Sequence, residues 1–235
     1  MRSFRDTWEH YIHGLQDRIC AALEAEDGKA KFRQDEWTRP EGGGGKTRVI
    51  THGNVIEKGG VNTSVVFGKV TDAMRTQLKI EGDSWYACGL SIVIHPLNPF
   101  VPTIHCNYRM FELYDEKGEI KDRWFGGGTD LTPYYLFEED ARAFHLVYKK
   151  TCDAFGTDLY PEWKKQCDDY FVNWHRGMER RGIGGIFYDY IRPDANRNID
   201  FWFGLASACG HAFMDAYIPI VNKRKSTPYT LQHKH

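Results

Sequence analysis

The sequence predicts an α+β fold with a largely antiparallel sheet, and three observations carry that prediction. Strand-like segments follow one another between residues 47 and 125, helical apolar spacing takes over after residue 137, and no strand–helix alternation of the parallel type is present. The 235 residues contain no internal repeat, low-complexity tract or linker, so residues 1–235 read as one domain.

The elements follow in order. Phe4, Trp8, Tyr11, Ile12, Leu15, Ile19 and Leu23 recur at helical spacing, which predicts an amphipathic helix over 3–26. The stretch RPEGGGGKTRVI (39–50) invites comparison with a phosphate-binding loop. If Gly45-Lys46-Thr47 closed such a motif, its first glycine would fall at position 40, which is Pro40. The context is also reversed, with polar residues before the run and β-branched residues after it. The run therefore reads as a flexible, side-chain-free turn or flap feeding a strand, with Lys46 available to carboxylates rather than to a nucleotide. Residues 47–70 read as paired strands with turns at Gly53 and Gly59-Gly60. SWYACGLSIVIH (84–95) and TIHCNYRMFELY (103–114) are strands separated by the proline-rich loop PLNPFVP. A third strand covers 120–125 and ends at Gly126-Gly127-Gly128. Helices are expected over 137–155 and 160–180, a strand over 183–191 and a long apolar helix over 198–222.

Composition limits the function. Lys and Arg number 31 against 32 Asp and Glu, a formal net charge of -1, which argues against a nucleic-acid or membrane-surface binder. No apolar run approaches membrane-spanning length. The six cysteines form no CxxC pair and read as reduced, mostly buried thiols. With Asp6 and Glu9 near its start, the N-terminus resembles neither a secretory signal nor an acid-poor transit peptide, so a cytoplasmic location is expected.

The chemistry concentrates on two strands. Side chains two apart share a face, so Ser91, Val93 and His95 oppose Leu90, Ile92 and Ile94. Likewise His105, Asn107 and Arg109 oppose Ile104, Cys106, Tyr108 and Met110. A hairpin would set the two polar rows side by side. A solvated outer face is the plain explanation, but the row holds no Lys, Glu or Asp, the usual solvent-facing residues. It is donor-rich instead: Arg109 can grip a carboxylate or phosphate with two parallel bonds, and His105 can move a proton near neutral pH. Asp130, just beyond the glycines of WFGGGTDLTP, either caps the next helix or aims a carboxylate into a pocket without obstruction. His145 and His175, on the expected helices, read as packed histidines. With His95 and His105 they make a conceivable metal set, although no HxH or HExxH pair is present. Arg176, Arg180 and Arg181 read either as a basic helix C-terminus or as anion-binding groups.

Long blocks carry a resemblance: EGGGGKTRVI, GNVIEKGGVNTS, SIVIHPLNPFVPTIHCNYRMFE, WFGGGTDLTPYYLFEEDARAFH, YPEWKKQCDDYFVNWHR and RGIGGIFYDY. Together, from about residue 4 to the end, they resemble the oxygen-dependent coproporphyrinogen III oxidases. The resemblance implies a large, flat antiparallel sheet sandwiched between helices, and a homodimer. It implies oxidative decarboxylation of two propionates of coproporphyrinogen III to vinyl groups, giving protoporphyrinogen IX in haem synthesis. Dioxygen is then the co-substrate, and no organic cofactor is required. By motif position, Ser91, Asn107, Tyr108 and Arg109 bind substrate and His105 donates a proton. Asp130 engages the pyrrole nitrogens, and His95, His105, His145 and His175 are the residues discussed as ligands of a divalent metal. Arg176 and one of Arg180 and Arg181 are further substrate contacts; the HRGMERRG spacing, one residue longer than usual, leaves that choice open. The family pattern continues past QHKH with a further strand segment, so a C-terminal piece of the sheet and of the dimer contact is expected to be lacking where the chain stops at His235. An inactive tetrapyrrole-binding homologue is the alternative to an enzyme.

Overall fold

The computed structural model describes residues 3–234; the expected family segment beyond His235 lies outside the described residues. Helix α1 (Phe4–Asp27) begins on a reciprocal cap, in which Ser3 Oγ accepts from the Asp6 N–H and the Asp6 carboxylate accepts from the Ser3 N–H, both at 3.1 Å. It ends at Gly28, whose φ of 71° is the left-handed conformation a C-terminal cap needs. Its stripe Trp8, Ile12, Leu15, Ile19 and Leu23 is buried against the sheet.

The strands are β1 (Arg33–Thr38), β2 (Gly43–Thr51), β3 (Ile56–Lys69), β4 (Ser84–Pro96), β5 (Thr103–Tyr114), β6 (Ile120–Thr132) and β9 (Gly184–Ile191). They form one seven-stranded antiparallel sheet in the order β1-β2-β3-β4-β5-β6-β9. A short hairpin, β7 (Val172–Asn173) with β8 (Glu179–Arg180), stands apart from it. Helices α3 (Glu138–Asp153), α4 (Leu159–Tyr170) and α5 (Ile199–Arg224) join α1. Leu90, Ile92, Ile94, Ile104, Tyr108 and Met110 are buried in the main core under α1 and α5, so the face predicted apolar is the face that packs. On the other face, α2 (Asp72–Leu78) closes one end of the sheet, its Met74 and Leu78 packing on a small cluster around Leu113 and Trp124. Helices thus lie over both faces of an α+β sandwich.

Asp27 ties α1 to the β2–β3 turn. Its carboxylate accepts backbone N–H bonds from Ala30, Asn54, Val55 and Ile56 at 2.8–3.1 Å. A Cβ at Gly53 would fall 2.0 Å from Asp27 Oδ2, which explains the glycine at this turn. Burial pushes the Asp27 carboxyl up, but the four N–H donors outweigh it and hold it down at about 2.

Several boundaries differ from expectation. Gly59 and Gly60 are interior to β3 and pair with Ile50 and Val49, so they form no turn. Gly43 to Gly45 already belong to β2, and Lys46, paired with buried Thr63, points to the helix-covered face rather than to a ligand. β6 runs straight through Gly126-Gly127-Gly128 to Thr132, which removes Asp130 from any helix cap. Helix α4 stops at Tyr170, so His175 sits in an exposed 3-10 turn and not on a helix, and the arginines 176–181 occupy the β7–β8 hairpin instead of a helix C-terminus.

Candidate active site

The open face of the sheet is organised in rows that cross the strands. One row runs Thr47, Asn62, Ser91, Asn107, Gly128, Phe187, and a second runs Val49, Gly60, Val93, His105, Asp130, Gly185. A third runs Gly45, Ser64, Gly89, Arg109, Gly126. Antiparallel partners share a face, so the hairpin expected of 84–95 and 103–114 brings Ser91 beside Asn107 as the pattern required. Alternation along β9 adds Phe187 and Asp189, which the sequence reading missed; their two-residue spacing in GIFYDYI was the available signal.

A cavity of about 280 Å³ opens over these rows and is lined by Ser91, His105, Asn107, Arg109, Asp130 and Arg181. Tyr170, Phe171 and Phe187 supply an aromatic wall, with Tyr170 stacked on Phe187 at 4.4 Å. A second cavity of about 340 Å³ shares Ser91, Asn107 and Arg109 and extends to Trp37. The two adjoin there as one trough along the open face of the sheet.

Two acid–base pairs stand on this floor. Asp130, only 4% exposed, accepts from Arg181 Nη2 through Oδ1 at 2.6 Å, and its Oδ2 lies 3.5 Å from His105 Nδ1. The Arg181 guanidinium also lies 3.8 Å over the Phe171 ring. Arg109 donates through Nη1 to Asn107 Oδ1 and through Nη2 to Asp189 Oδ2, each at 2.7 Å. Arginine places fixed donors where carboxylates can approach, and the two carboxylates offer acceptors to N–H groups.

The structure sets the arginines of this segment apart. Arg181 lines the cavity, whereas Arg180 turns to Asp168 at 3.2 Å and Arg176, largely exposed, faces Glu179 at 3.9 Å. Arg176 is thus not brought to the site. Tyr108 is also displaced from the expected set: its side chain is fully buried on the opposite face, and its hydroxyl is bonded to Thr129 Oγ1 at 2.9 Å. Only its backbone reaches the site face.

The four histidines do not converge. His145 has both ring nitrogens engaged, Nδ1 with the Tyr160 hydroxyl at 2.9 Å and Nε2 with the Ile183 carbonyl at 3.2 Å. His175 is exposed, and His95 faces a separate cavity with Glu57, His233 and Lys234. Among the described residues no group of three or more His, Cys, Asp or Glu is placed to hold a metal ion. The six cysteines are free and buried, and burial pushes the thiols of Cys88, Cys106 and Cys167 up to about 12, so these are packing groups and not nucleophiles. No helix among the described residues is long and apolar enough to cross a membrane.

Paired guanidinium and carboxylate groups on one open sheet face can meet both carboxylates and N–H donors of a ligand. Residues 7–235 match the family model described as coproporphyrinogen III oxidase. The chain is 46% identical over 242 aligned positions to the oxygen-dependent coproporphyrinogen-III oxidase, chloroplastic, of Glycine max, covering 99% of this chain and 62% of that protein. It has the same identity and coverage with coproporphyrinogen-III oxidase 1, chloroplastic, of Arabidopsis thaliana. This chain belongs to the coproporphyrinogen III oxidase family, and it spans 62% of the length of these two relatives. Both relatives are chloroplastic, which overturns the cytoplasmic location expected from the sequence. Buried free thiols do not distinguish one reducing compartment from another.

Proposed function

We propose that this chain catalyses the oxidative decarboxylation of two propionate side chains of coproporphyrinogen III, with dioxygen as oxidant, to give protoporphyrinogen IX. The observation that carries this reading is Asp130: a nearly buried carboxylate, fixed by Arg181 and next to His105, on the sheet face over which two adjoining cavities open. The substrate presents four propionates and four pyrrole N–H groups, and the trough presents guanidinium groups and carboxylates to match.

Asp130 accepts from pyrrole N–H groups, and Arg181 keeps its negative charge fixed in place while they bind. Drawing a pyrrole proton toward Asp130 enriches the ring in electrons, so the ring reacts directly with dioxygen. Arg109, with Ser91 and Asn107 beside it, holds propionate carboxylates. For each chain processed, the ring-bound peroxide takes a proton from the carbon next to the ring, the C–H electron pair moves into the ring as the C–O bond breaks, and the carboxylate leaves as carbon dioxide. The electron pair of the broken C–C bond becomes the vinyl double bond, and dioxygen, having gained two electrons and two protons, leaves as hydrogen peroxide. His105 supplies a proton in this exchange. This sequence requires no organic cofactor or bound metal. The active assembly is a homodimer, an expectation supported by the family resemblance and checked by the mass in solution from light scattering.

Incubation with coproporphyrinogen III in air, followed by separation of the tetrapyrroles and measurement of carbon dioxide, tests the reading. Asp130→Asn should lower kcat at least about 100-fold while substrate affinity stays within a few-fold. Undiminished turnover would remove Asp130 from the chemistry. Binding without turnover by the unaltered chain would favour the inactive-homologue alternative. Stoichiometric metal with activity lost to chelation would favour the metal alternative.

A further inference from the structure

We propose that Asp189 is a positioning residue that acts through Arg109, holding its guanidinium in the row that receives a substrate carboxylate; this rests on the tetrapyrrole reading above. Four features point to it. Arg109 on β5 and Asp189 on β9 meet at 2.7 Å although β6 runs between their strands. The strand between them is open only because residue 126 is glycine: a Cβ there would lie 2.5 Å from Asp189 Oδ1 and 2.8 Å from Arg109 Nε.

The backbone is also shaped for this contact. The β6–β9 register shifts between Phe125 and Gly127, and Tyr190 takes a positive φ of 55° without being glycine. A bulge of this kind re-aims the neighbouring side chain, and a left-handed non-glycine residue persists only where its surroundings hold it. Finally, the Tyr190 N–H donates to Asp189 Oδ1 at 2.9 Å, which fixes the carboxylate while Oδ2 faces Arg109. Asn107 Oδ1 takes the other Arg109 nitrogen. Arg109 is therefore braced from two sides, with its remaining N–H groups free for a carboxylate in the trough.

The test is a double-mutant cycle read by KM for coproporphyrinogen III and by Kd for coproporphyrin III, the aromatised form that carries the same carboxylates. Asp189→Ala should raise both constants about 5- to 20-fold with kcat within about twofold. In an Arg109→Ala background the same change should move them less than about twofold, because nothing is left to position. Asp189→Asn, which keeps an acceptor oxygen and the side-chain shape, should recover most of the loss. Gly126→Ala should reproduce the rise in KM by filling the gap. An unchanged KM on Asp189→Ala, or a loss that adds in full to that of Arg109→Ala, would overturn the assignment. If the unaltered chain neither binds coproporphyrin III nor consumes coproporphyrinogen III, it is the tetrapyrrole reading that fails.

Discussion

Arg181 reaches Asp130 from the β7–β8 hairpin, 51 residues further along the chain, and meets its Oδ1 at 2.6 Å while its guanidinium carbon lies 3.8 Å over the Phe171 ring. The same guanidinium thus neutralises a nearly buried carboxylate and fastens the hairpin to the sheet. Removing one member of such a pair leaves the other charge unpaired. Arg181→Ala is expected to lower stability by about 3 kcal/mol and to reduce kcat/KM by at least about 100-fold. Melting curves and steady-state kinetics check both numbers.

Arg180→Ala is the matched control. Its partner Asp168 also has Lys164 at 2.5 Å, and Arg180 itself is exposed, so the expected cost is under about 1 kcal/mol with turnover kept. A large loss from Arg180→Ala together with a mild one from Arg181→Ala would reverse the assignment of the two arginines.

The Asp27 carboxyl predicts a pH dependence whose sign can be worked out. Its folded value, about 2, lies below the ordinary carboxylate value near 3.9, so the unfolded chain binds the proton more readily. Its contribution is therefore fully present above about pH 4 and is lost as pH falls toward 2, on the order of 2 kcal/mol in all. Asp27→Asn should be less stable at neutral pH and should flatten the stability curve over that interval in denaturant titrations. Gly53→Ala, which places a methyl group against the same carboxylate, should destabilise by about 2–4 kcal/mol.

His145 separates packing from catalysis. Burial holds its ring below the usual histidine value, with the Lys164 charge adding to the effect, while its two nitrogens bond Tyr160 and Ile183. The folded ring is therefore the harder one to protonate, and its contribution to stability declines as pH drops below about 6.5. His145→Ala should cost about 1–3 kcal/mol and leave kcat within about twofold, whereas His105→Ala should lower kcat at least about 100-fold. Equal losses at both positions would restore a shared metal role.

What the sequence disclosed depended on periodicity. Ser91, His105, Asn107 and Arg109 were legible because side chains alternate through 90–95 and 104–110 and the opposite row there is hydrophobic. Three successive glycines carry no alternation, so β6 read as ending where it continues, and Asp130 read either as a helix cap or as a carboxylate aimed into the pocket. The spacing Trp163, Cys167, Tyr170, Trp174 imitates a longer helix, yet Trp174 is 72% exposed and the chain has already turned into the hairpin. β1 is exposed along its whole length and has no buried row to reveal it. Asp189 was hidden because its partner is two strands away and the glycine that lets them meet leaves no mark on β9.

The cross-strand rows have a consequence for how damage to this protein would register. Each row draws one residue from each of five or six strands, so the site exists only in one alignment of the whole sheet. A single-residue slip of β5 would exchange His105, Asn107 and Arg109 for Ile104, Cys106 and Tyr108. Turnover is in that sense a gauge of strand alignment: a misassembled sheet could keep its hydrogen bonds and its spectroscopic strand content and still be silent in the assay.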